Sequence, residues 1–168
     1  MSQVRTTESA EQPEAEKPLQ LIGFTVGNNV FGVDIRLAHE IIRSTAITSV
    51  PNAPDFVEGV INLRGNIFPV IDLRKRLHLY NEESGREEIR IMILEIRGMM
   101  TGFIVDTVTR VLKVSPSAIK EEPEKISAEL DKDYITGVCN VGGALLVLLD
   151  FNKILPGDKI SMDYEHDQ

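Results

Sequence analysis

Residues 59–77 read GVINLRGNIFPVIDLRKRL, and residues 137–155 read GVCNVGGALLVLLDFNKIL, the same pattern displaced by 78 positions without a gap. Seven of the nineteen aligned positions are identical: Gly59/Gly137, Val60/Val138, Asn62/Asn140, Gly65/Gly143, Asp72/Asp150, Lys75/Lys153 and Leu77/Leu155. Most other pairs exchange one apolar residue for another. Upstream, FTVGNNVFGVDIRLAHEII (24–42) lies over LEIRGMMTGFIVDTVTRVL (94–112) at a displacement of 70, with Gly32/Gly102, Val26/Ile96, Ile35/Val105 and Ile41/Val111 in register. The change from 70 to 78 puts eight extra residues of the second half into the charged stretch 113–135. Repetition at a fixed spacing decides the architecture before any local signal does. The chain is one supersecondary unit of about 60 residues, used twice.

The unit reads as strands. Leu21–Val26 and Val30–Ile35 alternate across a Gly27-Asn28-Asn29 turn, a hairpin signal that Glu88–Ile96 and Met99–Val105 repeat around Arg97-Gly98. Val60–Leu63 and Ile67–Ile71 flank Arg64-Gly65-Asn66, where Gly65 can supply a positive φ. Pro69 cannot donate to a ladder, which predicts an edge strand or a bulge there. Each unit ends in an aspartate, Asp72 or Asp150, placed to cap a short helix at 73–77 or 151–155. Ser115-Pro116 opens another short turn as cap and first helical residue, before the solvated run Glu121, Glu122, Pro123, Glu124. Helical crossovers long enough for a parallel α/β sheet are missing. The expected fold is all-β: two small barrels of about five strands each, side by side, with short helices. The expected division is an acidic, disordered tail at 1–18, a first barrel at about 19–85, a second at about 86–157 with strand exchange between them allowed, and an acidic tail at 158–168.

Composition excludes several classes. Of 168 residues, 42% are apolar and 26% charged, with a net charge of −8, which opposes nucleic-acid or anionic-membrane binding. No apolar run reaches the roughly 20 residues that span a bilayer. The first 18 residues have neither a basic start nor an apolar core, so a cytoplasmic address is expected. The single cysteine, Cys139, replaces Ile61 of the first copy and reads as a buried apolar residue. His39, His78 and His166 have no companions at metal-ligand spacing, and no metal or cofactor is expected. There is no phosphate-binding Gly-rich loop with Lys and Ser/Thr, and no Gly-x-Ser-x-Gly elbow. Asp72 and Asp150 could meet as a carboxylate pair across a twofold axis, but helix capping explains both. No active site is expected.

The informative difference between the copies is Arg64, whose counterpart is Gly142. A long cation stands at one turn tip and nothing stands at the other, so the turn does not need the side chain to fold. Loop tips on rigid scaffolds are where recognition groups sit.

The runs Phe24-Thr25-Val26-Gly27, Phe31-Gly32-Val33-Asp34-Ile35 and Glu40-Ile41, then Pro51-Asn52-Ala53-Pro54-Asp55-Phe56-Val57-Glu58-Gly59-Val60-Ile61-Asn62-Leu63-Arg64-Gly65, resemble the CheW family of chemotaxis coupling proteins. Pro69–Arg74, Gly102–Asp106 and Tyr134–Gly137 extend the resemblance over about residues 19–157. It implies two SH3-like five-stranded barrels, and an adaptor without enzymatic activity that joins the cytoplasmic tip of a chemoreceptor to the regulatory domain of the histidine kinase CheA. It also implies a partner-binding groove including Ala38, Glu40, Asn62, Arg64, Gly65, Arg90 and Gly102. Ala38 and Arg90 stand where the family often has a bulkier aliphatic residue. An adaptor of a twitching, gliding or biofilm pathway, and a two-barrel sensor of a small ligand or peptide, are the alternative readings.

Overall fold

The computed structural model describes residues 17–43, 45–79, 89–121 and 130–155. Both terminal tails, apart from Lys17 and Pro18, lie outside them, as do His166 and the acidic run after Glu121. Ten strands follow in chain order: β1 (Leu19–Val26), β2 (Asn29–Asp34), β3 (Ala38–Arg43), β4 (Val57–Leu63), β5 (Asn66–Asp72), β6 (Arg90–Ile96), β7 (Met99–Val105), β8 (Thr107–Val114), β9 (Ile135–Val141) and β10 (Ala144–Leu149). Two single-turn helices, α1 (Leu73–Arg76) and α2 (Phe151–Ile154), close the two units. A short 3-10 turn at Pro116–Ala118 has Pro116 as its first residue, although Ser115 makes no side-chain cap bond.

The strands form two five-stranded sheets, sheet I in the order β8-β1-β2-β10-β9 and sheet II in the order β3-β6-β7-β5-β4. Each sheet takes its opening hairpin from one repeat and its other three strands from the other. Hairpin β1–β2 joins β8, β9 and β10, and hairpin β6–β7 joins β3, β4 and β5. The joints are the two parallel pairings, Val30–Gly32 beside Leu146–Leu148 and Gly102–Ile104 beside Val70–Asp72. The all-β class and the two five-stranded units stand. The units are curled sheets rather than closed barrels: beyond the ladders, single bridges Thr48–Val60 and Lys120–Val138 approach the edge strands β4 and β9. These bridges are repeat equivalents displaced by 72 on one side and 78 on the other. Two of the eight extra residues therefore precede Lys120, and six follow it.

Alternation sends each strand's apolar residues to two faces. One face of sheet I buries Leu21, Cys139, Leu146 and Leu148 in a small core, and one face of sheet II buries Ile61, Val70, Ile91, Ile93 and Ile104 in its counterpart. The other faces meet in a larger common core that includes Phe24, Phe31, Met92, Leu94, Phe103 and Phe151. Cys139 is buried, and burial raises its thiol pKa. The caps are as expected: Asp72 accepts from the Arg74 amide at 3.0 Å and Asp150 from the Asn152 amide at 3.1 Å.

Pro69 corrects one expectation. It lies in β5, an interior strand, not at an edge. Its opposite residue, Val60, directs its N–H and C=O to Thr48 at 2.8 and 2.9 Å, so that pair makes no ladder bond. On the other side, pairing with β7 begins only at Val70. The missing N–H therefore removes no hydrogen bond. The nearby bulge is in the partner strand, between Val57 and Gly59.

The two units lock where their repeat equivalents Phe56 and Tyr134 face one guanidinium. Arg76 lies 4.3 Å from the Phe56 ring centre and 4.9 Å from that of Tyr134, a cation over two aromatic faces. It also donates to the Ile154 and Lys153 carbonyls at 2.8 and 3.3 Å. A second tie is buried: Arg74 of α1 bonds Asp106, beyond β7, at 3.2 Å and the Leu79 carbonyl at 3.0 Å. Asp106 also accepts from the Gly27 amide at 2.7 Å.

Candidate functional site

Glu40 and Arg64 come together at the open side of sheet II. Glu40 is on β3, one edge of the sheet, and Arg64 is at the turn that ends β4, the other edge. The guanidinium forks onto the carboxylate, Nη1 to Oε1 at 2.9 Å and Nη2 to Oε2 at 2.6 Å. The bidentate pair spans the gap that the ladders leave unclosed. Arg64 holds the Glu40 carboxyl below its usual pKa, first through the side-chain hydrogen bonds, and Glu40 raises that of Arg64. The pair remains exposed, with two thirds of the Arg64 side chain in solvent. Exposed pairs hold weakly and exchange readily, so the fork can pass to another acceptor.

The turn beneath is rigid. Arg64 has φ 54° and Gly65 φ 85°, the mirror-image two-residue turn that fits a twisted hairpin. Asn62 pins it by accepting from the Gly65 amide at 3.0 Å. In the second copy, Gly142 and Gly143 take 57° and 86°, and Asn140 accepts from the Gly143 amide at 3.1 Å. The conformation at the first turn position is one that glycine adopts freely and arginine does not. Arg97 occupies the same position in the β6–β7 turn, but it reaches the Leu155 and Asn152 carbonyls at 2.9 and 3.3 Å and ties that turn to α2. Arg64 has no such tie to backbone among the described bonds.

A groove of about 440 Å³ opens beside the pair. Its floor is apolar, from Leu63, Phe68, Ile93 and Met100, and its rim is polar, from His39, Glu40, Arg64 and Asn66. His39 also meets Glu95 at 3.0 Å. The remaining sequence candidates fall around this groove in different ways. Gly102 lies below it, in one rung across the sheet that runs Glu40, Ile93, Gly102, Val70 and Gly59. A Cβ there would sit 2.9 Å from Ile91 Cγ2 and 3.5 Å from Ile93 Cδ1, so glycine lets the groove floor settle. Ala38 is half-buried and packs on the common core at the start of β3. Arg90 pairs with Arg43, three residues along β3 from Glu40, or about 10 Å at strand rise. Structure thus brings Glu40, Asn62, Arg64 and Gly65 to one place, sets Gly102 beneath them, and leaves Ala38 and Arg90 to the side. Sequence reasoning missed the floor residues, although the alternation of β4 and β5 already put Leu63 and Phe68 on one face.

Among the described residues, no cluster of histidine, cysteine, aspartate or glutamate has the arrangement to hold a metal ion, and no helix is long and apolar enough to cross a membrane. A rigid two-sheet frame that presents an apolar groove under a charged fork defines a docking module. The family model for the CheW-like domain matches residues 20–159, and the chain belongs to this family. It is 34% identical to the chemotaxis protein CheW of Treponema pallidum over 148 residues, 86% of each chain. It is 35% identical to the chemotaxis protein CheW of Bacillus subtilis over 147 residues, covering 88% of this chain and 91% of that one. Among solved structures, the scaffolding protein TtCheW of Thermoanaerobacter tengcongensis superposes with a TM-score of 0.71 at 32% identity, covering 79% of this chain and 84% of that chain.

Proposed function

We propose that this chain is a chemotaxis adaptor that couples chemoreceptors to a CheA-type histidine kinase by holding both, without turning over a substrate. The observation that carries the reading is the repeat asymmetry. One turn bears Arg64 forked onto Glu40 beside an apolar groove, and its twin bears glycine. The family match and the likeness to TtCheW, a scaffolding protein, support the same conclusion. The receptor's cytoplasmic tip is a helical hairpin, and a helix can lay its apolar stripe along a groove with anchors at i, i+3, i+4 and i+7. Leu63, Phe68, Ile93 and Met100 supply the floor for such anchors. Arg64 then moves from Glu40 to an acceptor on the helix, and the surrounding contact excludes water from the new pair. Asn62 and Gly65 supply the groove's turn and Gly102 its packing layer, while Ala38 and Arg90 lie to its side. Both partners act in the cytoplasm, so the adaptor works there with no contact to the bilayer core. The curated relatives are named as chemotaxis proteins, and nothing in the groove favours a small-ligand sensor or a non-swimming pathway.

A pull-down of the full chain with a receptor-tip fragment and with the CheA regulatory domain tests this. Saturable binding of both is expected. Binding of neither would sink the coupling role.

A further inference from the structure

A pocket of about 480 Å³ lies in the second copy, between the start of β9 and α2. Lys132, Thr136 and Lys153 line it, with the carboxylates of Glu121 and Asp150 also in the wall. Its meaning comes from the first copy. There the equivalent of Lys153 is Lys75, which donates to Glu58 at 2.8 Å, a bond that raises the lysine's pKa. The equivalent of Glu58 is Thr136, and the equivalent of Pro54 is Lys132. The second copy has thus kept the cation, lost its acid and gained a second cation.

Nothing within the described residues replaces that acid. No ion pair forms to Lys132 or Lys153 among them. Thr136 donates its hydroxyl to the Leu148 carbonyl at 3.3 Å. Asp150 caps α2 through the Asn152 amide. Gly137, next to Thr136, also lines the pocket, with Ile119 and Lys120 packed where its side chain would be.

We propose that this pocket accepts the carboxylate of an aspartate or glutamate on an extended segment of a protein partner, in the place that Glu58 fills from within the first copy. The volume exceeds what one carboxylate needs and leaves room for the backbone that carries it. The two wall carboxylates oppose a free dianion such as phosphate more than a single carboxylate. The site is remote in the repeat from the Arg64 groove: it lies in sheet I and α2, so it extends the adaptor reading rather than depending on it. A steered, charge-matched contact of this kind fixes register and partner choice.

The test uses the full chain, labelled with 15N, titrated at constant ionic strength with acetyl-Gly-Glu-Gly-Glu-Gly-amide, with its glutamine counterpart and with inorganic phosphate. Saturable shifts at the Ile135–Gly137 amides are expected for the glutamate peptide alone. The doubly substituted K132Q/K153Q protein should bind it about tenfold more weakly. Thr136→Glu restores the internal acid of the first copy and should abolish binding, while thermal unfolding of that variant stays at or above the parent value. Absence of saturation, equal response to the glutamine peptide, or undiminished binding by Thr136→Glu would overturn the proposal. Phosphate saturating at the same or lower concentration would overturn the assignment to a carboxylate. Each of these results leaves the Arg64 groove untouched, so a failure here is distinguishable from a failure of the coupling role.

Discussion

The β4–β5 and β9–β10 turns are built alike and used differently. Both run through two positive-φ residues, and both are pinned by an asparagine that accepts from the amide of the second of them. One presents an arginine held across an open sheet, and the other presents bare backbone. A duplicated frame supplies an internal control: what both copies keep serves the fold, and what only one keeps is free to serve recognition. Gly59/Gly137, Asn62/Asn140 and Asp72/Asp150 belong to the first kind. Arg64, Glu40 and Lys132 belong to the second, as does the loss of the acid at Thr136.

The same comparison ranks the perturbations, and the largest effect is expected where one copy has a buried ion pair and the other has none. Arg74 and Asp106 are both nearly inaccessible, whereas their repeat equivalents are Asn152 and Arg36, with Arg36 paired to Asp34 at the surface. Removing one partner of a buried pair strands the other charge, so Asp106→Ala should destabilise by about 3–5 kcal/mol. Arg36→Ala should leave the unfolding midpoint unchanged. Chemical denaturation of the two variants checks this, and similar losses in both would mean that the tie between the sheets is elsewhere.

A smaller contrast is expected at the paired glycines. Gly59 has φ 148°, and a Cβ on it would sit 2.0 Å from the Thr48 carbonyl oxygen, which is backbone and cannot yield. At Gly137 φ lies outside the left-handed range, and such a Cβ would meet the end of the Ile119 side chain at 2.7 Å and the Lys120 carbonyl oxygen at only 3.1 Å. Gly59→Ala should therefore cost about 3 kcal/mol and Gly137→Ala about 1 kcal/mol, within the range for strained and repackable sites. Equal losses would show that the two bridges to the edge strands are equally stiff.

Thr101 offers a change of opposite sign. Its position in the first copy is Phe31, which stacks on Phe24 at 5.6 Å between ring centres, and its own hydroxyl is buried without a hydrogen-bond partner among the described residues. Replacing a buried, unbonded hydroxyl by a methyl removes a desolvation penalty, so Thr101→Val should raise stability by about 1 kcal/mol. A loss in thermal unfolding would reveal a partner for the hydroxyl in solution.

Much of this was legible in the chain because repetition carries long-range information. The hairpins, the two caps, the burial of Cys139 and the special status of Arg64 all follow from aligning two halves with each other. The expected division allows strand exchange, but that a whole hairpin exchanges was not legible, since the periodicity of β1–β2 is satisfied equally by either set of three strands. The exchange is made by pairing Val30–Gly32 with Leu146–Leu148 and Gly102–Ile104 with Val70–Asp72, residues far apart in sequence. Pro69 misled for a related reason: whether a missing donor matters depends on where Val60 sends its own bonds. The resemblance puts Glu40 and Arg64 in one groove, but their ion pair was hidden, because Glu40 reaches Arg64 only once the sheet has curled.

The smallest expected effect on stability, and the sharpest on function, is at Arg64. Arg64→Gly makes the first turn chemically the same as its twin, in a conformation that glycine already holds at 57° in the second copy. The turn loses a disfavoured arginine conformation and an exposed ion pair, two terms of opposite sign, so the denaturation midpoint should stay where it is. Affinity for a receptor-tip fragment should fall about tenfold or more, because a fork desolvated under a partner is worth far more than one in water. Gly142→Arg should restore nothing, since that turn stands on sheet I with no Glu40 across from it; Arg110 holds the matching position. Acid separates the pair from the docking. Glu40 has a folded pKa below its unfolded one, so the pair's contribution is full above the unfolded value and is lost as pH falls through the folded one. The stability difference between the parent protein and Glu40→Gln should therefore shrink on acidification below the usual carboxylate range. Arg64→Gly at neutral pH should keep its fold and lose its partner. A variant that instead lost stability and kept its affinity would make Arg64 a clasp for the sheet and move recognition to the apolar floor beneath it.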